Sequence, residues 1–176
     1  MTPEQITNPA YRYTLRRTLT DAAKAGAAVR TVVWVMLNPS TADDLVDDPT
    51  IRKVMHLSRE HGYDELVVVN LFAARSTQPK HLIEMGDKAR GDLNMVHIDA
   101  AFHEADAIVF AWGAWWTTNV SKRRNLYPGL PRLNVERLAA KIATPRGIPI
   151  LCCGKTKDRD PKHPCYLPND TKLVPW

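Results

Sequence analysis

The chain has 176 residues, 44% of them hydrophobic and 24% charged, and this composition excludes an intrinsically disordered protein. Its length suits one domain with a single core, spanning residues 1–176. Lys and Arg outnumber Asp and Glu by 24 to 19, which gives a net charge of +5 and an isoelectric point near 9.2. The excess charge favours an anionic partner, either nucleic acid (DNA) or a nucleotide, and a basic surface without any such partner is the alternative.

The three cysteines, Cys152, Cys153 and Cys165, are odd in number and two are adjacent, which argues against a disulfide framework. A reducing, cytoplasmic setting is therefore expected. Residues 1–10 form a loose lead-in that lacks the apolar core of a signal peptide. No apolar run approaches the length of a membrane span, so we expect no membrane association. Nothing in the pattern points to an obligate protein partner.

The first half of the chain contains two predicted strands and a helix. Tyr11–Leu19 is rich in β-formers and roughly alternating, which predicts an edge strand whose arginines protect it from aggregation. The apolar run Thr31–Leu37 predicts a buried strand that stops abruptly at Asn38-Pro39-Ser40. Asp48-Pro49 predicts a helix start, because the aspartate accepts from first-turn amides and proline sacrifices no hydrogen bond there. Gly62 predicts the end of this helix.

The later elements alternate between strands and helices. In chain order they are a strand at Leu66–Phe72, a helix at Asp92–Glu104, a strand at Ala107–Gly113, a helix around Val135–Ile142, a strand at Pro149–Cys153 and an irregular tail over 154–176. Strands that alternate with helices predict an α/β fold with three layers, α/β/α, around a central, mostly parallel sheet.

Four of these strands end in segments that could form a site: Asn38-Pro39-Ser40, Asn70, Trp112-Gly113 and the residues after Cys153. Because ligands of open α/β sheets bind at the carboxyl ends of the strands, we expect these segments to surround one site. An amide side chain offers a donor and an acceptor, which suits the edge of a nucleobase or the orientation of a water molecule. Each asparagine taken alone is equally compatible with a turn or a cap.

Two polar clusters suggest metal binding, but an interpretation without a metal ion is favoured for both. Asp43, Asp44, Asp47 and Asp48 could bind a hard cation or supply a general base, but no calcium-loop spacing is met. A solvated loop with a helix cap is the simpler interpretation. Cys152, Cys153, His163 and Cys165 invite a zinc site, but their spacing matches no common ligand set. We therefore expect no metal and no cofactor.

Three further segments are candidates for nucleic-acid contacts. Gly154-Lys155-Thr156 follows a strand as a phosphate-binding loop does, but the first glycine of that motif is missing, so a nucleoside triphosphatase is not expected. His163 lies in a proline-rich loop and could donate to a leaving base or a phosphate, or be an ordinary surface histidine. Trp115-Trp116 followed by Lys122-Arg123-Arg124 suits single-stranded or flipped nucleic acid, with core tryptophans beside a solvated turn as the alternative.

The chain resembles the bacterial domain-of-unknown-function family 1643. The resemblance spans nearly the whole chain, and its combination of motifs is specific. The matching segments are Arg12-Tyr13-Thr14-Leu15, Met36-Leu37-Asn38-Pro39-Ser40-Thr41-Ala42, Asp47-Asp48-Pro49-Thr50, Val69-Asn70-Leu71-Phe72-Ala73, Ala111-Trp112-Gly113, Gly154-Lys155-Thr156-Lys157-Asp158 and Pro161-Lys162-His163-Pro164. The name of this family implies no activity.

A more distant likeness is to the uracil-DNA glycosylase superfamily. There an Asn-Pro motif after the first central strand carries the water-orienting residue in some branches, and a later strand ends in an Asn that reads the base edge. A further strand ends in Trp-Gly, and a His-Pro-Ser loop closes on the sugar-phosphate. The chain contains, in this order, Leu37-Asn38-Pro39-Ser40, Val69-Asn70-Leu71, Phe110-Ala111-Trp112-Gly113 and His163-Pro164-Cys165. It differs in having Leu37 where glycine is usual and Cys165 where serine is usual.

This likeness implies a uracil-DNA glycosylase-like fold and a role for each matching residue. Asn38 would orient the attacking water, and His163 would stabilise the departing base or grip a phosphate. Asn70 would pair with the base edge, with Phe72 as the stacking ring and Trp112 as a further base contact. The candidate phosphate contacts are Ser40, Lys155, Thr156 and Arg123.

The leading hypothesis from the sequence is a DNA glycosylase-like hydrolase that binds a flipped base, modified bases included, and hydrolyses its N-glycosidic bond. One alternative is a non-catalytic module that recognises a base or a nucleotide with the same pocket. The other is an enzyme acting on free nucleosides or nucleotides, for which a basic outer surface would be irrelevant.

Overall fold

A computed structural model describes residues 10–22, 25–40, 47–115, 118 and 131–176 of the chain. Its described strands form one mixed sheet of six, in the order β1-β3-β2-β4-β5-β6. The strands are β1 Thr14–Thr18, β2 Thr31–Met36, β3 Glu65–Asn70, β4 Ala107–Phe110, β5 Ile150–Cys152 and β6 Val174–Pro175. The central strands β3, β2, β4 and β5 are parallel to one another, and β1 and β6 are antiparallel edges.

Helices cover both faces of this sheet. The described α-helices are α1 Pro49–Glu60, α2 Lys80–Met85, α3 Asn94–Glu104 and α4 Pro131–Arg146, and two short 3₁₀ helices are Gly86–Arg90 and Pro164–Tyr166. Along β2, Trp34 packs on the face that also buries Leu57 of α1, whereas Val33 and Val35 pack on the face that buries Phe102 of α3. This alternation follows from the two-residue period of a strand. The predicted α/β class and mostly parallel sheet are therefore confirmed.

The start of α1 sets one wall of the region described below. The Asp48 side chain accepts a hydrogen bond from Ile51 N at 2.8 Å, and Pro49 occupies the first helical turn. Gly62 follows the helix with φ +75°, a conformation that glycine adopts without strain. The predicted start and end of this helix are both confirmed.

Some parts of the sequence prediction were wrong. The tail over 154–176 is not wholly irregular, because Val174–Pro175 pairs with β5 and Pro164–Tyr166 forms a 3₁₀ helix. Helix α2 was not predicted. Arg12 does not protect an open edge, since it is 7% exposed. No helix in the described residues is long and apolar enough to cross a membrane.

A buried hydrogen bond between β2 and α1 gives a prediction about stability. Trp34 Nε1 donates to Ser58 Oγ at 3.0 Å, and both residues are fully buried. Ser58→Ala leaves a buried indole N–H without an acceptor, so we expect the free energy of unfolding to fall by about 1–3 kcal/mol in chemical denaturation. The control is the double variant Trp34→Phe/Ser58→Ala, compared with each of the two single variants. If the losses in free energy of unfolding of the single variants add up to that of the double variant, the hydrogen bond contributes nothing.

Candidate functional site

A polar cavity of about 250 Å³ lies where β2 and β3 end. Met36 and Val68 line it, which places it on the face of the sheet that carries α1. Its polar wall includes Arg12, Asn38, Ser40, Asp48, Asn70 and His163. We call this space the polar cavity. The sequence predicted that Asn38, Asn70, Trp112-Gly113 and the segment after Cys153 would surround one site. The structure brings Asn38, Asn70 and His163 to this one space, but Trp112 and Gly113 are not among the described residues that line it.

Asn38 is held in one orientation by the loops that follow β2 and β3. Its Nδ2 donates to Pro39 O at 2.9 Å and to Ser76 O at 2.8 Å, and Ser76 N donates back to Pro39 O at 3.0 Å. Both amide hydrogens are thereby used. Its Oδ1 makes no hydrogen bond to any other described residue, so the group that remains for a ligand or a water molecule is an acceptor.

Asn70 ends β3 on the same face as Val68, two residues earlier, and both line the polar cavity. It is 4% exposed, and its side-chain amide makes no hydrogen bond to other residues in the described part of the chain. Its backbone carbonyl accepts from Asn94 Nδ2 at 2.9 Å, which fixes the end of the strand. A nearly buried amide therefore presents both a donor and an acceptor to the cavity.

His163 reaches the cavity from the C-terminal segment. Its Nδ1 accepts from Cys165 N at 3.3 Å, so the neutral ring carries its proton on Nε2 and can donate from there. Burial lowers the pKa of His163, and the nearby Asp48 carboxylate opposes that shift only in part. The imidazole is therefore neutral at pH 7, and protonating it at lower pH would also remove the acceptor for Cys165 N.

A second, more aromatic space of about 360 Å³ adjoins the first. Asn38 and His163 line both spaces, and Trp112, Trp115 and Tyr166 line only the second, which we call the aromatic cavity. Trp112 is 1% exposed, and its Nε1 is buried without a hydrogen-bond acceptor among the described residues. Tyr166, by contrast, is 91% exposed. The polar cavity is thus bordered by a second space that is lined by aromatic rings.

Three other predicted site residues, Phe72, Lys155 and Thr156, are not among the described residues that line either cavity. Phe72 is 2% exposed in the core on the α3 side. Lys155 lies over the Trp176 ring at 4.6 Å, and Thr156 pairs with Asp160, so both are engaged away from the cavities. Arg123 lies outside the described residues. The predicted contacts of Lys155, Thr156 and Arg123 with a phosphate stay predictions.

Ser40 does line the polar cavity, but its hydroxyl donates to Asp48 Oδ2 at 2.9 Å. The other oxygen of Asp48 caps α1. Ser40 therefore fastens the loop after β2 to the start of the helix, and its hydroxyl proton is committed there. Of the predicted acidic loop, Asp43 and Asp44 lie outside the described residues.

The described residues contain no group of three or more His, Cys, Asp or Glu side chains placed to hold a metal ion. All three cysteines are free thiols, and Cys152 and Cys153 are buried. Burial and the neighbouring Cys152 raise the pKa of Cys153 to about 12.

The chain was then compared with known proteins. The profile of a family described as "Protein of unknown function (DUF1643)" matches residues 12–165. The chain belongs to this family. Searches of curated proteins and of solved structures found no match. The likeness to uracil-DNA glycosylases therefore stays a prediction, and the family description adds no activity.

In this DUF1643 chain, sequence reasoning overlooked several polar residues of the cavity wall, which include Thr50, Ser76 and Thr77, and also the charged residue Arg12. It is the first residue of the family match and lies in a segment that was interpreted as an exposed edge. A signal was present in its neighbours, because Tyr11 and Tyr13 flank it and large aromatic rings tend to be buried. Burial of Arg12 itself could not be inferred from alternation, since β1 begins two residues later, at Thr14.

The turn after β4 positions His163 and gives a second prediction. Gly113 has φ +74°, and a Cβ added there would lie 3.2 Å from His163 Cβ. Gly113→Ala should therefore both strain the backbone, by about 1–2 kcal/mol, and displace His163. The matched control is Gly147→Ala, with φ +66° and no atom within 4 Å of the added Cβ. We expect only Gly113→Ala to shift the His163 ring signals in NMR spectra, and unchanged signals would contradict the contact.

Proposed function

We propose that this protein binds a nucleobase in the polar cavity and hydrolyses the N-glycosidic bond that links it to its sugar. The observation that carries the proposal is the Asn70 amide, which is 4% exposed, lines the cavity and makes no hydrogen bond to other described residues. Because the amide lines the cavity, its donor and acceptor remain open to a ligand. A flat ligand edge with its own acceptor and donor would pair with both.

Asn38 is suited to orient the attacking water molecule. Its amide nitrogen is anchored by Pro39 O and Ser76 O, so Oδ1 has a fixed direction, and the residue lines the cavity. An acceptor held in this way can align a water molecule through one of its O–H bonds, which supports attack in the correct geometry. The amide is too weakly basic to take the proton, so its contribution is positioning.

His163 is suited to assist the departing base. A neutral imidazole with its proton on Nε2 can donate a hydrogen bond to a base atom that gains negative charge as the bond breaks. Hydrolysis forms a bond between the water oxygen and the sugar C1′, and it breaks the C1′–N bond. The electron pair of the broken bond goes to the base, and one water proton ends on the base or in the solvent.

The size of the polar cavity supports a ligand with one ring system. Its volume of about 250 Å³ lies below the roughly 300–1,000 Å³ of sites for drug-sized ligands. The aromatic cavity beside it would hold the sugar or a neighbouring base. The uracil-DNA glycosylase-like architecture and a DNA substrate belong to this proposal, and the net charge of +5 agrees with an anionic strand.

A second candidate function is a base-binding module without hydrolysis. Among the described residues that line the polar cavity, Asp48 alone carries a carboxylate, and its two oxygens accept from Ser40 Oγ and Ile51 N. Neither oxygen is left to serve readily as a general base. Recognition of a nucleobase through Asn70 needs no general base, so this observation favours binding without hydrolysis.

The test is a screen of wild-type protein against oligonucleotides that carry single modified bases, in single-stranded and duplex form, and against free nucleosides. Release of free base is measured by chromatography, and abasic sites by strand cleavage in alkali. Base release with matching abasic sites is the expected result. Binding without product would select the module, and competition by short DNA with steep salt dependence would separate a strand substrate from a free nucleoside. If the wild-type protein neither binds these probes nor releases a base from them, both candidate functions are rejected.

A further inference from the structure

The polar cavity and the aromatic cavity share a wall. Asn38 and His163 line both spaces, so a ligand group in one space lies next to a group in the other. The aromatic cavity measures about 360 Å³ and the polar cavity about 250 Å³. The pair is therefore suited to a ligand with two ring systems joined by a short linker, which is the shape of two consecutive nucleotides.

Tyr166 gives the aromatic cavity an exposed ring. The residue is 91% exposed, and it makes no hydrogen bond or ring contact with any other described residue. Its backbone is nonetheless held in place. Leu167 N donates to Pro164 O at 3.0 Å across the 3₁₀ helix, and Lys53 Nζ of α1 donates to Leu167 O at 2.8 Å. A ring with an anchored backbone and free faces is suited to stack on a flat ligand.

A basic loop, residues 154–162, lies beside the aromatic cavity. It follows β5, which is parallel to β4, so it begins at the same edge of the sheet as both cavities. Lys162 N donates to Gly154 O at 2.9 Å and closes the loop. Gly113, which lines the aromatic cavity, donates from its backbone nitrogen to Pro161 O at 3.0 Å. The basic loop is thereby fixed against the wall of the aromatic cavity.

Positive charge prevails on the surface of the basic loop. Its exposed cations are Lys157, Arg159 and Lys162. Their side chains form no ion pair or hydrogen bond with any other described residue. Of the two carboxylates in the loop, Asp160 is buried and Asp158 is exposed. Three exposed cations against one exposed carboxylate favour an anionic ligand.

We propose that the protein binds a single strand of nucleic acid at this edge of the sheet. One base would occupy the polar cavity, the next base would stack on Tyr166, and the phosphates of the strand would lie against the basic loop. This rests on the proposed function, because the base in the polar cavity is the one that would be released. An exposed aromatic ring beside unpaired cations is the combination by which proteins bind unpaired strands.

Two other ligands are expected to bind more weakly than a single strand. In a duplex both faces of each base are already stacked, so a base reaches Tyr166 only after unstacking. An acidic polypeptide would pair with the cations of the basic loop but has no base to stack on the ring. A duplex of the same sequence and polyglutamate are therefore the comparison probes.

The stacking contact is tested by fluorescence anisotropy with a labelled single strand of about 12 nucleotides that contains all four bases. Tyr166→Ala should weaken binding of this strand about 5- to 100-fold, because the stacking surface is lost. Tyr166→Phe should stay within about twofold of wild type, because it keeps the ring. The control is Val96→Ala, since Val96 is 63% exposed on α3 and lines neither cavity in the described chain. Its affinity should equal that of wild type.

The phosphate contacts are tested by the dependence of affinity on salt concentration. Lys157→Gln/Arg159→Gln removes two exposed cations of the basic loop. Arg137→Gln/Lys141→Gln removes two exposed cations of α4 that line neither cavity, so the two double variants have equal net charge. Each lost phosphate contact lowers the slope of log affinity against log salt by about 0.7 for a single strand. The slope should fall by about 1.4 in the loop variant and stay unchanged in the α4 variant.

Four results would overturn the proposal. They are no binding of the strand to wild type, equal affinity of wild type and Tyr166→Ala, equal slopes in the two double variants, and competition by the duplex or by polyglutamate as strong as that by the unlabelled strand. All the substituted side chains are exposed, so these variants are expected to fold as wild type does.

Binding of the strand is measured without reference to base release, so the two proposals can fail separately. Tyr166-dependent binding of the strand by a protein that releases no base would keep this inference and remove the hydrolase proposal. Base release from free nucleosides by wild type and Tyr166→Ala at equal rates, with no binding of the strand, would keep the hydrolase proposal and remove this inference.

Discussion

Replacing Asn70 with leucine is expected to weaken nucleobase binding at least tenfold while the protein becomes no less stable. The side chain is nearly buried and makes no hydrogen bond to other described residues, so leucine removes an unsatisfied amide and buries apolar atoms instead. The free energy of unfolding should stay unchanged or rise by up to about 1 kcal/mol. Calorimetric titration with the best-bound nucleoside and chemical denaturation measure the two quantities on the same sample.

Asn94→Leu is the matched control, because Asn94 is 2% exposed and donates from Nδ2 to Asn70 O and Leu71 O at 2.9 and 3.2 Å. Its replacement leaves two buried carbonyls without that donor, so we expect a loss of about 1–3 kcal/mol in stability. The two asparagines should therefore have opposite effects on unfolding. A comparable destabilisation by Asn70→Leu would mean that its amide is structural, and the binding argument would fail.

The second large effect is expected at Asn38. Asn38→Ala should reduce the rate of base release by about 100-fold or more, because it removes the acceptor that holds the water molecule. Nucleoside affinity should change less than about threefold, since Asn70 and His163 remain. Single-turnover base release and equilibrium binding measure the two quantities separately, on the substrate that wild type cleaves fastest.

Asn38→Ala also removes the hydrogen bonds to Pro39 O and Ser76 O, so a control must separate loop stability from chemistry. Ser76→Ala loosens the same loop by removing the bond from Ser76 Oγ to Gln78 O at 2.9 Å, and it leaves Asn38 Oδ1 in place. We expect this variant to keep at least a third of the wild-type rate. Equal losses in both variants would assign the effect to the loop, and full activity of Asn38→Ala would remove Asn38 from the reaction.

Local signals in the sequence were sufficient to predict the core of the fold. The apolar runs at β2 and β3 and the Asp48-Pro49 cap predicted their elements closely, because burial and capping depend on adjacent residues. Helix α2 was missed because it has only six residues, and its preceding residue, Pro79, provides no side-chain cap. Strand β6 was missed because it consists of Val174–Pro175, and pairing with β5 is a long-range property.

Part of the site could be predicted because two of its residues lie at the ends of predicted strands. Asn38 and Asn70 follow strands whose ends meet in a parallel sheet, so their convergence could be inferred. The predicted strand Leu66–Phe72 would place Phe72 on the same face as Asn70, two residues earlier. Strand β3 ends at Asn70, so that alternation does not continue and Phe72 turns into the opposite core. The burial of Arg12 depends on the path of the segment before β1, and its local signal was limited to the flanking residues Tyr11 and Tyr13.

The central claim is that a heterocycle occupies the polar cavity against Asn70. The most direct measurement is a titration of ¹⁵N-labelled wild-type protein with each of the common nucleosides in turn, following side-chain amide signals in two-dimensional NMR. The Asn70 signal is assigned by its loss in Asn70→Leu, and Asn169, an exposed residue that pairs with Lys53, serves as the internal control. We predict that the Asn70 amide protons shift in a saturable way while those of Asn169 do not. Saturable shifts elsewhere with Asn70 unchanged, or no shifts at any concentration, would contradict the claim.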